Sequence, residues 1–345
     1  MTRDLRPLFE PRGVVVAGAS THPGKFGFVS LHNILTSGYR GRLYGLAREQ
    51  GEVLGVPVLA DAADLPADEI DLVFVCTPPA VNEQLIRDVA ARGVRAVFMA
   101  AGGYSEAGDE GRAAEDRLVA LCDELGLILA GPNGQGVVSP PVDLCAQIVA
   151  PYPPRGRIAI ASQSGNFVSS FQNYAAQTGI GVSRAISAGN AGQLGIVDYL
   201  DWFADDDETA VSLIYVEGID DGRQFYERAA AVAARKPIVV LKGGASAGGQ
   251  RAAASHTGAL ATDDAVFDGM CRQAGLMRAR NVEDAFEAAA TFATQPIPPG
   301  NRVAVLTSVG GWGVLTADAM ADTDLVLTEL PDDLRAALDA ELPPR

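Results

Sequence analysis

Apolar residues in this chain fall in short unbroken runs, separated by stretches with a helical period. "GVVVAGAS" (13–20), "RLYGL" (42–46), "IDLVFVCT" (70–77), "VRAVFMA" (94–100) and "LGLILAG" (125–131) predict strands, with helices between them over 79–92 and 109–124. Strands that are apolar throughout, alternating with helices, predict a parallel sheet covered on both faces. A second series repeats the pattern. Its strands are "RIAIAS" (157–162), "GVSRAIS" (181–187), "AVSLIYVEG" (210–218) and "PIVVLKGG" (237–244), with helices near 165–178, 221–234, 262–274 and 282–293.

Proline punctuates the two series. Pro140, Pro141, Pro151, Pro153 and Pro154 predict a linker over 139–156, and "PIPPG" (296–300) marks a second boundary. "RVAVLTSVGGWG" (302–313) then opens a third strand–glycine–helix unit, which reaches Arg345 after about two strands, too few for an independent sheet. The expected units are therefore 1–138, 157–295 and an incomplete 301–345, with the chain a fragment of a longer polypeptide or completed by a partner.

Composition narrows the classes. With 345 residues and 48% hydrophobic content, the chain suits two compact domains and part of a third. A formal charge of −16 repels nucleic acid and anionic membranes, so neither is expected as a partner. Cys76, Cys122, Cys145 and Cys271 show no metal spacing and no disulfide framework, which predicts reduced, buried thiols. The N-terminus "MTRDLRPLFEPRG" is too charged for a signal peptide, and no apolar run reaches membrane-spanning length. A soluble cytoplasmic protein is expected.

Candidate chemistry begins at the first strand. Gly18-Ala19-Ser20 ends it and leads through Pro23-Gly24-Lys25-Phe26-Gly27 into a helix. Such a turn aims backbone N–H groups and a helix N-terminus at a phosphate, although it departs from G-x-G-x-x-G and could be only a tight turn. The second strand ends Leu46-Ala47-Arg48, where an NAD site would carry a carboxylate. A cation there favours a phosphorylated ribose, as in NADP or coenzyme A. "CTPP" (76–79) and "AAGGYSE" (100–106) end later strands on the same carboxyl edge.

In the second series, "ASQSGN" (161–166) again joins a strand to a helix. Ser162, Ser164 and the N–H groups of Gly165 and Asn166 could hold a phosphate there, or a serine could simply cap the helix. "YVEG" (215–218) ends a strand with Glu217, a carboxylate able to fix a histidine tautomer and leave the other ring nitrogen nucleophilic.

His256 is one of three histidines and lies in "RAAASHTGALATDDAVF" (251–267), inside a Gly/Ala/Ser-rich stretch from about Gly243 to Ala261. Most loop histidines are merely solvated. This one shares its domain with a phosphate-type helix start and a strand-end glutamate, the parts that a histidine carrying a phosphoryl group requires. His22, beside Pro23, and His32, in the following helix, carry less information.

Taken together, "LFEPRGVVVAGAS", "GPNGQGV" (131–137), "ASQSGN", "YVEGI" (215–219), "KPIVVLKGG" and "AASHTGALA" (253–261) resemble the nucleoside-diphosphate-forming acyl-CoA synthetases, relatives of the succinyl-CoA synthetase α subunit. The resemblance covers nearly the whole chain. It implies an α/β protein with an N-terminal Rossmann-like CoA-binding domain, a flavodoxin-like succinyl-CoA-synthetase-type domain and a truncated third α/β unit. It implies that Gly18, Ala19, Ser20, Lys25 and Arg48 lie near CoA phosphates, and that Thr77 and Pro78 lie near its adenine side. It further implies that His256 is phosphorylated, with Glu217 orienting it and Ser162, Ser164, Gly165 and Asn166 binding phosphate. Asn133 is then expected to face the thioester.

The implied reaction is acyl-CoA + ADP + phosphate ⇌ carboxylic acid + CoA + ATP, with Mg²⁺ on the nucleotide. No stretch resembles the family's nucleotide-binding ATP-grasp module, so an ATP-grasp subunit or domain is the expected partner, within an oligomer. The family pattern GPNCLG reads "GPNGQG" here, "GNAGQLG" (189–195) lacks the charges common after Gly-Asn, and the third-domain turn "GGWG" (310–313) lacks its usual proline. The alternatives are a CoA- or acyl-CoA-sensing module without turnover and an NADP-dependent oxidoreductase.

Overall fold

A computed structural model of the chain describes residues 3–150, 152–219, 221–246, 248–249, 263–321 and 323–342. Residues 1–294 form one compact unit and 295–345 a second.

The first unit holds two seven-stranded sheets. In the first sheet, β1 (Gly13–Ala17) lies between β2 (Arg42–Leu46) and β5 (Leu72–Val75), followed outward by β6 (Ala96–Met99) and β7 (Ile128–Ala130). All these pairs are parallel. On the other flank, β4 (Val56–Leu59) pairs parallel with β2, and β3 (Gly51–Val53) closes the edge antiparallel. Strands β1, β5 and β6 are buried at every position, as their unbroken apolar sequences require between two helical layers. The helices concerned are α2 (Phe26–Thr36), α3 (Pro79–Ala90) and α4 (Asp109–Glu124).

The second sheet is built on β10 (Arg155–Ser162), flanked by β11 (Val182–Ser187) and β12 (Val211–Val216), with β13 (Ile238–Lys242) and β14 (Met277–Ala279) beyond β12. These five strands are parallel. Their order, in which the second strand lies outside the first, is the flavodoxin-like one. The expected linker over 139–156 needs correction. The hairpin of β8 (Gly136–Ser139) and β9 (Leu144–Gln147) adds two antiparallel strands to β11, and the prolines Pro140 and Pro141 form the 3₁₀ turn within it. The chain thus passes from β7 to the second sheet in five residues, 131–135.

One apolar core runs through both sheets, from Leu5, Phe9 and Phe98 to Val137, Tyr199 and Phe203. Phe9, at the end of α1 (Arg6–Phe9), stacks on Trp202 of α6 (Ile196–Asp205) with centroids 4.8 Å apart. Beside them Arg184 is fully buried. It donates to Glu10 at 2.5 Å, to both carboxylate oxygens of Asp206 at 3.0 and 3.1 Å, and to Ser139. A buried guanidinium is tolerable only with such complete pairing.

The second unit has two short parallel strands, Arg302–Val303 and Val326–Leu327, with helices Gly310–Met320 and Asp332–Glu341. Its apolar side chains Leu306, Trp312, Val314 and Leu315 are exposed. The cysteines form no disulfides; Cys122, Cys145 and Cys271 are buried, and Cys76 is partly exposed.

Candidate functional site

Each sheet reverses its strand order once at its carboxyl edge, and open α/β sheets bind ligands at such points. In the first sheet the reversal lies between β1 and β5. Gly18 follows β1 with φ +87°, and a Cβ there would stand 3.2 Å from the Cys76 carbonyl carbon. A Cβ on Gly27 would stand on the Gly18 carbonyl, so the start of α2 approaches the strand end as only glycine permits. Lys25 occupies the N-cap of α2 with no side-chain cap bond, and it is exposed, as is Arg48 beyond β2.

Ser20 and His22 are partly used inside this turn: Ser20 Oγ accepts the His22 N–H and His22 Nδ1 accepts the Gly24 N–H, both at 3.1 Å. Across the reversal, Thr77 donates its hydroxyl to Asn82 Oδ1 at 2.6 Å, and Pro78 is the N-cap of α3. Asn82 is buried and also donates to the Tyr104 hydroxyl at 2.9 Å. Burial around the Cys76 thiol pushes it up to about 12, so it stays protonated and inert beside this turn.

In the second sheet the reversal lies between β10 and β12, where Ser162 pairs with Tyr215. Ser162 is fully buried and spends its hydroxyl on the turn: it donates to the Ser164 carbonyl at 2.7 Å and accepts the Ser164 N–H at 3.0 Å. Ser162 therefore shapes the turn with its hydroxyl. Ser164 is the N-cap of α5 (Gly165–Thr178) but makes no side-chain cap bond. The capping alternative for it falls, and the first-turn N–H groups of α5 stand at the positive end of a fourteen-residue helix.

Gln163 ties this turn to Glu217. Its Oε1 accepts the N–H groups of Glu217 and Gly218 at 2.5 and 3.2 Å, and its Nε2 donates to the Gly218 carbonyl at 2.9 Å. Tyr215 stacks on Phe167 with centroids 3.8 Å apart; burial, then the Glu217 carboxylate, raise its phenol. Gly243, the first residue after β13, packs on the same spot: a Cβ on it would stand 2.5 Å from the Tyr215 hydroxyl and 3.6 Å from Glu217 Cγ. The segment leading to His256 therefore starts beside Glu217. His256 itself lies outside the described residues.

The 131–135 crossing stands between the two edges. Pro132 follows a cis peptide bond, and Asn133 is exposed with φ +58°, a conformation that asparagine tolerates better than most residues. Gly134 has no room for a side chain: a Cβ would stand 2.7 Å from Phe98 Cζ and 2.9 Å from the Ser187 carbonyl oxygen. That accounts for glycine where the family pattern has cysteine. Gln135 is buried and donates to Ser169 Oγ of α5 at 2.5 Å.

The structure thus brings Ser164, Gly165, Asn166 and Glu217 to one sheet edge, and Gly18, Ala19, Ser20, Thr77 and Pro78 to the other. Sequence reasoning missed Gln163, Asn82 and Asn190, whose Oδ1 accepts from Asn133 Nδ2 at 3.3 Å. Gln163 was legible in principle, because it lies within "ASQSGN". Among the described residues no group of three or more His, Cys, Asp or Glu could hold a metal ion, and no helix is long and apolar enough to cross a membrane.

Residues 12–140 match the model of a CoA binding domain, and residues 155–292 match that of the succinyl-CoA ligase like flavodoxin domain. The chain is 35% identical over 335 residues to the α subunit of acetate–CoA ligase (ADP-forming) I from Pyrococcus furiosus, covering 96% of this chain and 72% of that one. It is 33% identical to acetate–CoA ligase (ADP-forming) II of Archaeoglobus fulgidus, covering 96% of this chain and 49% of that longer one. Among solved structures, the dinucleotide-forming acetyl-coenzyme A synthetase 1 of Ca. Korarchaeum cryptofilum, in complex with phosphate and ADP, superposes with a TM-score of 0.92. That match has 35% identity and covers 99% of this chain and 73% of that one.

Proposed function

The chain belongs to the family of the ADP-forming acetate–CoA ligases, and from that premise we propose that it is the CoA-binding, phosphohistidine-carrying half of an ADP-forming acyl-CoA synthetase. The reaction is acyl-CoA + ADP + phosphate ⇌ carboxylic acid + CoA + ATP. A phosphate oxygen attacks the thioester carbonyl, the C–S bond breaks, and CoA leaves as its thiol. His256 then attacks phosphorus, the carboxylate leaves, and the phosphoryl group passes from the imidazole to ADP.

The observation that carries this reading is the convergence at the second sheet's reversal. The Ser164–Gly165 helix start, Glu217 and Gly243, at the root of the segment bearing His256, meet within one small region. Glu217 orients the imidazole, and Ser164, Gly165 and Asn166 supply hydrogen bonds to the phosphate, with Ser162 shaping their turn. At the first sheet, the close packing of Gly27 on Gly18 brings the N-terminus of α2 onto the end of β1, the kind of turn that aims backbone N–H groups at a phosphate, which fits CoA. Gly18, Ala19, Ser20, Lys25 and Arg48 hold its phosphates, Thr77 and Pro78 its adenine side, and Asn133 faces the thioester.

In this reading 1–138 is the CoA domain, 157–295 the phosphohistidine domain and 301–345 part of a third. ADP and its Mg²⁺ sit on an ATP-grasp partner, in an oligomer of the two, and the family naming of α subunits supports a separate β-type partner. The test is acid-labile labelling of the chain by γ-labelled ATP in the presence of that partner. Label that His256→Asn abolishes is expected. CoA binding with no His256-dependent label would instead make the chain a sensing module.

A further inference from the structure

We propose that Asn190 is the positioning residue for Asn133 and sets which end of the Asn133 carboxamide is turned to the thioester. The proposal rests on the reading that Asn133 faces the thioester, and deepens it.

The loop after β11 is seated on the 131–135 crossing by its backbone. The Asn190 N–H donates to the Pro132 carbonyl at 2.9 Å and the Gly192 N–H to the Gly131 carbonyl at 3.0 Å. Gly189, at φ +57°, lies so close that a Cβ would stand 2.1 Å from the Pro132 carbonyl oxygen. Ala191 takes φ +55°, a left-handed conformation unfavourable to a non-glycine residue, which persists only where its surroundings impose it.

The side chain of Asn190 then bridges three others. Its Nδ2 donates to Glu106 Oε2 at 2.6 Å and to Glu115 Oε2 at 2.9 Å. An ionised carboxylate can only accept, so these two acids fix the nitrogen end of Asn190 toward themselves. Burial would raise the Glu106 carboxyl, but hydrogen bonds from Asn190 and from the Gly103 N–H hold it below its ordinary value and keep it ionised at neutral pH. Glu115 is also tied, accepting the Ser105 N–H at 3.1 Å.

With its nitrogen committed, Asn190 presents Oδ1 to Asn133, whose Nδ2 donates to it at 3.3 Å. Asn133 therefore keeps its nitrogen on the Asn190 side, with one further N–H that has no partner among the described residues. Its oxygen lies toward Gly102, 3.4 Å from where a Gly102 Cβ would stand. The spare N–H is a donor suited to an oxygen that gains negative charge as a thioester carbonyl is attacked. Two carboxylates thus dictate, through one amide, the orientation of another amide in the crossing.

The experiment measures kcat and KM in the enzyme reconstituted with its ATP-grasp partner, on the acyl-CoA it turns over best in a panel, with CoA affinity measured by calorimetry. Asn190→Ala is expected to lower kcat about tenfold, leaving the KM for phosphate and the affinity for CoA within about twofold. Added to Asn133→Ala, it should cause no further loss. The pair Glu106→Gln and Glu115→Gln, which keeps the shapes but frees Asn190 to turn over, should lower kcat as Asn190→Ala does, with an unchanged melting temperature. The proposal is overturned if Asn190→Ala acts in full on the Asn133→Ala background, if CoA affinity falls in parallel, or if the double glutamine variant keeps wild-type kcat. Wild-type kcat in Asn133→Ala alone would instead defeat the underlying reading of Asn133.

Discussion

The carboxamide of Gln163 clasps the backbone of Glu217, accepting its N–H at 2.5 Å and binding both polar groups of Gly218. One side chain therefore sets the distance between the serine turn and the carboxylate. Gln163→Ala should raise the phosphate KM by about tenfold, the effect of losing roughly one well-placed hydrogen bond to each partner, while CoA affinity stays as in the wild type. Steady-state kinetics with phosphate varied, set beside calorimetry with CoA, separates the two effects.

Asp71 lies at the opposite, amino edge of the first sheet and is buried. Burial would raise its carboxyl, but hydrogen bonds from Arg12 and Arg95 hold it at about 2. A depressed carboxyl stabilises the fold above its unfolded value of about 4 and loses that contribution as pH falls through about 2. Asp71→Asn should therefore melt lower than wild type at pH 7, by about 2 kcal/mol, and the difference should shrink as pH drops from 4 toward 2. Denaturant titrations across that range give the comparison; a gap that does not change with pH would count against the pairing.

Arg184 joins Glu10, Ser139 and Asp206 with no exposed surface of its own. Arg184→Ala leaves the Asp206 carboxylate, 7% exposed, without its cation, and should cost about 3–5 kcal/mol by chemical denaturation. Arg184→Met, tested with Asp206→Asn, should recover part of that loss.

Restoring the family's cysteine at Gly134 should destabilise this protein. The Cβ would press on Phe98 Cζ and on the fixed Ser187 carbonyl, an overpacking cost of about 1–3 kcal/mol. Gly134→Ala should show most of it in a thermal melt, because the clash begins at Cβ. Pairing Gly134→Cys with Phe98→Leu should relieve the ring contact and leave the carbonyl contact in place.

The strands read from unbroken apolar runs, such as Gly13–Ala17 and Leu72–Val75, stand where the pattern put them, because a strand buried on both faces has only apolar positions. Strands at and next to the sheet edges escaped that rule. Gly51–Val53 and Val56–Leu59 are short and half exposed, and the β8–β9 hairpin was hidden by Pro140 and Pro141, which form its turn. Helix Ile196–Asp205 was overlooked although "IVDYLDWFAD" carries an apolar face, because it follows a glycine-rich loop. At the site, strand-end motifs were legible, since carboxyl ends of parallel strands share an edge. The Asn190–Glu106 contact spans 84 positions, and no local pattern encodes it.

The five-residue passage from β7 to β8 has a bearing on how this protein can be cut or rebuilt. A conventional linker lets a CoA module and a phosphoryl module drift or be exchanged as cassettes. Here the crossing is pinned between two sheets and carries Asn133 itself, so swapping either module for a relative's would have to preserve the seam atom for atom. Chimeras joined inside 131–135 should lose catalysis even when both halves fold, and new acyl preferences would have to be engineered around that seam.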